Sequence, residues 1–145
     1  MAAYCTIADL QKMLPDDVLV GLSDDDDVDA IDTTRTQEAI DSGAEEIDAF
    51  IGAVVDLPIS GDVPPILGKL NVDIAIYNIY SRLHEIIPDT RQKRYDNAMR
   101  TLNQIATGKI SFGLTPPPDK SSESGVSMVA SSRTPIFSSD KMGTF

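Results

Sequence analysis

The chain has 145 residues, of which 41% are apolar and 6% aromatic, with no Trp, which gives enough chain for one domain around a modest aliphatic core. Its formal charge of −11 argues against wrapping nucleic acid, because phosphates demand clustered Lys and Arg. A single Cys (Cys5) and a single His (His84) rule out an internal disulfide, a zinc site and a Cys–His nucleophile pair, and point to a reducing cytoplasm.

The opening "MAAYCTIADL" has no basic region followed by a long apolar run, so no secretory leader is expected. Thr6 followed by Asp9 resembles a capping box with Asp in place of Glu, and predicts a short helix from about Thr6 to Leu14, stopped by Pro15. "DDVLVGL" then predicts one or two more helical turns, with Asp16 or Asp17 near the start and Val18, Leu19 and Leu22 facing inward. Six aspartates follow between Asp24 and Asp32. An EF-hand-type calcium loop begun at Asp25 would place Asp27 and Asp29 correctly. It would then put Ala30 where the sharp turn needs Gly and Thr36 where a bidentate Glu belongs. The run is therefore read as a solvated acidic loop with no chemistry assigned.

A longer helix begins near Thr34. Ile40, Ala44, Ile47, Ile51 and Val54 recur at steps of four, three, four and three, which is one stripe on an α-helix. Glu38, Asp41, Glu45, Glu46 and Asp48 occupy its other faces. "DLPISGDVPP" is a loop of about ten residues, and Pro64 and Pro65 suit the first turn of the next helix. That helix is expected from Ile66 to about Ile87, ended by Pro88. It is apolar on most sides, which predicts a central position, with its own domain packed on one side and room for another subunit on the other, yet Lys69, Asp73 and Arg82 make it too charged for lipid. Asp73 lies inside the apolar run, so a partner is expected for it: an Arg, a Lys or a tyrosine hydroxyl, with Tyr77 one turn on. His84, at the end of this helix, reads as a partner for the helix dipole.

Asp89 or Thr90 is expected to cap the next helix. Its stripe is Tyr95, Met99, Leu102, Ile105 and Ala106, its outer faces carry Arg91, Lys93, Arg94 and Arg100, and Gly108 follows as the C′ residue. A helix-turn-helix reading of this basic helix is opposed by the acidity of the rest. After Leu114 helical periodicity stops. Pro116, Pro117 and Pro118 favour a stiff spacer, and Val126, Met128, Val129, Pro135, Ile136, Phe137 and Phe145 are apolar anchors suited to a segment that orders on a partner. The expected fold class is all-α: a small four- to five-helix domain over residues 1–114 and a long extended C-terminal arm over residues 115–145.

No nucleophile motif, phosphate-cradling loop or paired-carboxylate cleft is legible, so no enzyme activity and no cofactor are expected. Charge is polarised instead. Residues 1–60 hold fifteen Asp/Glu and two Lys/Arg, giving −13, and residues 61–145 hold eight and ten, giving +2. A chain so divided can meet a copy of itself, acidic side to basic side.

Three stretches carry a resemblance: "YCTIADLQKMLP" at Tyr4–Pro15, "VPPILGKLNVDIAIYNIYSR" at Val63–Arg82 and "RYDNAMRTLNQIATGKISFGL" at Arg94–Leu114. Asp73, Ile74, Ala75, Tyr77, Tyr80, Arg82 and the exit Gly108-Lys109-Ile110-Ser111 are its most specific parts. Together they resemble the Mu-like phage and prophage head–tail connector family; beyond Leu114 no motif carries the likeness. The resemblance implies a structural neck adaptor in the virion, assembled in the host cytoplasm. It would form a homo-oligomeric ring, usually of twelve subunits, beneath the portal protein, through which DNA passes without specific binding and on which a further neck or tail protein docks. In related adaptors a C-terminal arm docks on the portal, a role that falls by position and character on residues 115–145. The physical expectation beside it is a head-to-tail ring with Glu38, Asp41 and Glu45 of one subunit facing Arg91, Lys93 and Arg94 of the next, and with Asp24, Asp25, Asp26 and Asp27 facing the channel. The rival is an acidic helical mimic of DNA that occupies the basic groove of a host protein.

Overall fold

The computed structural model describes residues 3–83, 86–111 and 113–114. The aliphatic stripes read from the sequence fold into five helices: α1 (Ile7–Gln11), α2 (Asp16–Ser23), α3 (Thr33–Ile51), α4 (Pro65–Arg82) and α5 (Asp89–Ala106). No strand occurs among the described residues. The all-α expectation holds. The arm from residue 115, with all ten of its apolar or proline candidates, lies outside the described residues, as does His84.

Helix α4 is the centre. It packs against α3 and α5, and α1 and α2 lie on it from the other side. Its sequence is apolar nearly all round because two cores share it. On one flank Val72, Ala75, Ile76 and Ile79 meet Leu10, Leu14, Leu19, Leu22 and Ile40. On the other, Leu67, Leu70 and Ile74 meet Ile47, Ile51, Ala98, Leu102 and Ile105. The close approach of α3 to α4 depends on Gly43, where a Cβ would come within 2.6 Å of Asn71 Oδ1 and 3.2 Å of Ile74 Cγ2. The Asn71 amide is fully buried there and meets no partner among the described residues, a cost of roughly 1–3 kcal/mol that the surrounding packing offsets.

Helix ends follow local chemistry. The Thr6 N–H donates to the Asp9 carboxylate at 3.0 Å, the return arm of the expected capping box, and the Thr6 hydroxyl donates to the same carboxylate oxygen at 2.9 Å. Helix α1 stops at Gln11, three residues short of the expected Leu14, though Met13 and Leu14 still donate to the Leu10 carbonyl at 2.9 Å. Helix α4 ends at Arg82, not near Ile87. A residue before proline is disfavoured in the α region, and Ile86 is 95% exposed, so no core rewards further turns. At α5, Pro88 stands at the N-cap and Asp89 is the first helical residue, so neither Asp89 nor Thr90 caps it. Its other end matches expectation: Gly108 has φ 72°, its N–H donates to Ile105 O at 2.9 Å and Lys109 N–H to Gln104 O at 2.8 Å, a Schellman exit.

Candidate functional site

The aspartate loop is more than a wet connection. Asp24 accepts from the N–H groups of Asp26, Val28 and Asp29 at 3.2, 3.2 and 2.8 Å and so ties the turn to itself. Asp27 and Asp29 take φ 55° within it, a left-handed conformation that Asp tolerates. Asp25 receives both guanidinium nitrogens of Arg82, at 2.8 and 2.9 Å, and Arg35 Nη1 at 3.0 Å. Arg82 also donates to Leu22 O at 2.7 Å. Asp32 caps α3 by accepting from Thr34 N–H and Arg35 N–H at 2.9 and 3.0 Å, and it pairs with Arg35 Nε at 3.1 Å. The Arg82 bonds hold the Asp25 carboxyl below its usual range, aided by Arg35, and the same bonds raise Arg82. The Arg35 and Thr34 amides lower Asp32. Asp24, Asp25 and Asp32 are thus part of the fold, and Asp26 and Asp27 stay exposed.

The expected acidic face is present. Glu38, Asp41 and Glu45 are exposed on α3 and make no salt bridge among the described residues. Asp41 accepts from Gln37 at 2.8 Å. Two other acids of the helix turn inward. Asp48 accepts from the Tyr4 hydroxyl, and Glu46 accepts from Tyr95 at 3.4 Å. Burial first, then Asp48, raises the Tyr4 phenol, and burial first, then Glu46, raises Tyr95.

Two of the basic residues of α5 have partners within their own subunit. Arg94 reaches back to Asp73, which is 9% exposed, at 3.4 Å. That supplies the cation anticipated for the buried carboxylate. Tyr77, the other candidate, stacks its ring on Tyr95 with centroids 3.9 Å apart and planes at 14°. Arg91 donates to Met13 O at 2.9 Å. Two of the three cations expected between subunits therefore also brace their own subunit, and Lys93 is exposed.

Arg94 opens onto a cleft of about 450 Å³ between α1, α4 and the start of α5. Cys5, Gly68 and Val72 form part of its floor, and Lys12, Lys69 and Arg94 stand at its edge. Gly68 lets the Tyr4 backbone lie close against α4 beside that floor, since a Cβ there would lie 3.0 Å from Tyr4 O. Asp9 in the cleft is paired with Lys12 at 2.8 Å. That bond, then the Thr6 amide and hydroxyl, pulls Asp9 down to about 2. Burial, then Asp9, pushes the Cys5 thiol up to about 12, which suppresses its nucleophilic form. Among the described residues no three His, Cys, Asp or Glu are grouped to hold a metal, and no helix is long and apolar enough to cross a membrane.

This arrangement is one of charged faces on a helical block, and comparison with known proteins gives it a family. The family model for bacteriophage Mu, Gp36 matches residues 4–131 of the chain. The chain belongs to the bacteriophage Mu Gp36 family. The Mu-like prophage FluMu protein gp36 of Haemophilus influenzae is similar to it at 29% identity over 86 residues, which is 59% of this chain and 58% of that protein. The chain thus spans a little over half the length of that relative. The Gp36 match runs past Leu114 into the arm, further than the resemblance legible in the sequence, where the absence of helical periodicity left nothing to anchor it. Membership makes this a Mu-like phage protein.

Proposed function

We propose that this Gp36-family protein has a structural or assembly role, and specifically that it is a head–tail connector: a ring subunit seated under the portal, extending the DNA channel and offering a platform to the next neck or tail protein. The observation that carries the reading is the Gp36 match across residues 4–131, which takes in the helical block and the first part of the arm together. The surface supports it. An exposed acidic face on α3 and a basic-edged cleft beside α1 suit subunits that pack head to tail. Asp26 and Asp27, exposed on a loop anchored by Asp25, suit a wall along which DNA slides without sticking. The arm, residues 115–145, is the segment assigned to the portal.

The test is co-sedimentation of the purified chain with portal particles of its own phage. A connector joins those particles, and a chain lacking residues 115–145 does not. A full-length chain that ignores portal and instead binds a host nucleic-acid-binding protein as a monomer overturns the connector and favours the DNA mimic.

A further inference from the structure

Two differently charged hollows flank α1. One is the cleft edged by Lys12, Lys69 and Arg94. The other is a shallow groove lined by Ile7, Thr33, Thr34, Gln37, Glu38 and Asp41. In a chain of charge −11 the first is a local exception. Its carboxylates are already engaged, Asp9 by Lys12 and Asp73 by Arg94, whereas Lys69 is exposed and makes no ion pair among the described residues. Lys12, with 73% of its side chain exposed, keeps donors free for a second acceptor. Met13 at 37% exposure and Pro65 add apolar surface at the same edge. Across α1, Glu38 and Asp41 are exposed and make no ion pair among the described residues.

We propose that the cleft between α1, α4 and α5 receives the Glu38–Asp41 edge of α3 from a second copy of the chain, with Lys12 and Lys69 as the cations that meet it. The proposal rests on the ring reading for its biological setting. It moves the basic half of the contact from Arg91 and Lys93 to Lys12 and Lys69. Arg91 is held by Met13 O, and Arg94 keeps Asp73 neutralised while bordering the cleft. The two surfaces differ, so the contact is heterologous: each copy offers one of each, and association continues until the rotation closes. Opposed charges at a wet edge make the contact strongest at low ionic strength.

Two charge-reversed chains test this: Lys12→Glu with Lys69→Glu, and Glu38→Lys with Asp41→Lys. All four side chains are exposed, so each variant is expected to keep a native circular dichroism spectrum and a melting temperature within a few degrees of the parent. The parent chain in about 50 mM salt runs on light-scattering chromatography as an assembly well above its 15.7 kDa protomer, and in about 0.5 M salt as the protomer. Each reversed chain alone is expected at the protomer mass, because its two faces now carry the same sign. An equimolar mixture restores the parent assembly. A second measurement does not depend on reversal: with Cys5→Ser in both chains, so that no native thiol lies in the cleft, a mixture of Lys69→Cys and Asp41→Cys chains forms an intermolecular disulfide under mild oxidation, and neither chain alone does. A parent chain that stays monomeric at low salt, reversed chains that keep the parent mass, or a mixture that restores nothing and cross-links nothing overturns the proposal. A monomeric chain that still joins portal particles removes this contact and leaves the connector. A chain that assembles by this contact and never joins portal does the reverse.

Discussion

The two flanks of α4 bury comparable aliphatic residues, but only one is fastened by a charge cluster. Beside α1 and α2, the core of Leu10, Leu19, Leu22 and Ile79 ends at Arg82, whose guanidinium draws the α2–α3 loop onto the end of α4 through Asp25 and Leu22 O. Beside α5, the core of Ile47, Ile51, Ile74, Leu102 and Ile105 meets solvent at a Tyr77–Tyr95 stack, and its ion pair, Arg94–Asp73, is long at 3.4 Å. The difference reflects what each flank must hold. Two long helices meeting along most of their length fix each other by shape. A five-residue helix, an eight-residue helix and a loop rich in aspartate have less apolar surface to offer, and the loop repels itself unless cations are brought to it.

The comparison breaks first at Ile74, which is fully buried on the α5 flank. Ile74→Ala is expected to lower unfolding free energy by about 2–5 kcal/mol, and the loss should be nearly the same at low and high salt. Urea unfolding at two ionic strengths checks it. A loss that shrinks markedly in salt would mean that this flank too is held by charge.

Arg82 comes next. Arg82→Ala removes two charge-assisted bonds to Asp25 and one to Leu22 O, but the guanidinium is partly open to water, with 31% of its side chain exposed. The expected loss is therefore about 1 kcal/mol in dilute buffer and less in about 1 M salt. Hydrogen exchange places the effect: amides of residues 24–32 should exchange faster in the variant while those of α5 stay as they were.

What was legible in the sequence divides along the same line. The stripe Ile40, Ala44, Ile47 and Ile51 is buried as its spacing predicts, while Val54 lies past the helix end and is half-buried. The all-round apolar run of α4 announces a central helix, but both its flanks are packed by this chain's own cores and not one by a second subunit. These signals are periodic, and periodicity is what a sequence displays directly. The need of Asp73 for a cation was legible because a carboxylate in an apolar run is costly. Which cation answers was not, since Arg94 lies 21 positions away on another helix. The Arg82–Asp25 bond spans 57 positions and has no local mark, so the aspartate run read as solvent-exposed. One contact was missed that sequence does mark: Asp32 before Thr33, Thr34 and Arg35 is an ordinary N-cap signature, obscured by the aspartates before it. The early end of α4 had no such mark: the restriction from Pro88 reaches Ile87 alone, five residues beyond the last helical residue, Arg82.

The smallest expected effect lies at α1 and isolates the charge contribution by pH. Asp9 titrates near 2 in the fold against 3.8 as an ordinary carboxyl, because Lys12 and the Thr6 amide and hydroxyl favour its charged form. A carboxyl lowered in the folded state stabilises it fully above its unfolded value and ceases to do so as pH falls through the folded value. Stability that Asp9 contributes is therefore present above about pH 4 and lost towards pH 2. The carboxylate is well exposed, so solvent screening holds the contribution to about 0.5 kcal/mol. Asp9→Asn should lower the melting temperature slightly at pH 6, and the gap from the parent should close as both are taken to pH 2. Asp25 and Asp32 are lowered by arginine and backbone partners elsewhere, so both chains keep a common acid-side decline from those groups. A gap that is unchanged at pH 2 would show that Asp9 holds the helix start by shape and hydrogen bonding alone, and the charge-fastened flank would then reduce to Arg82 and Arg35 around Asp25.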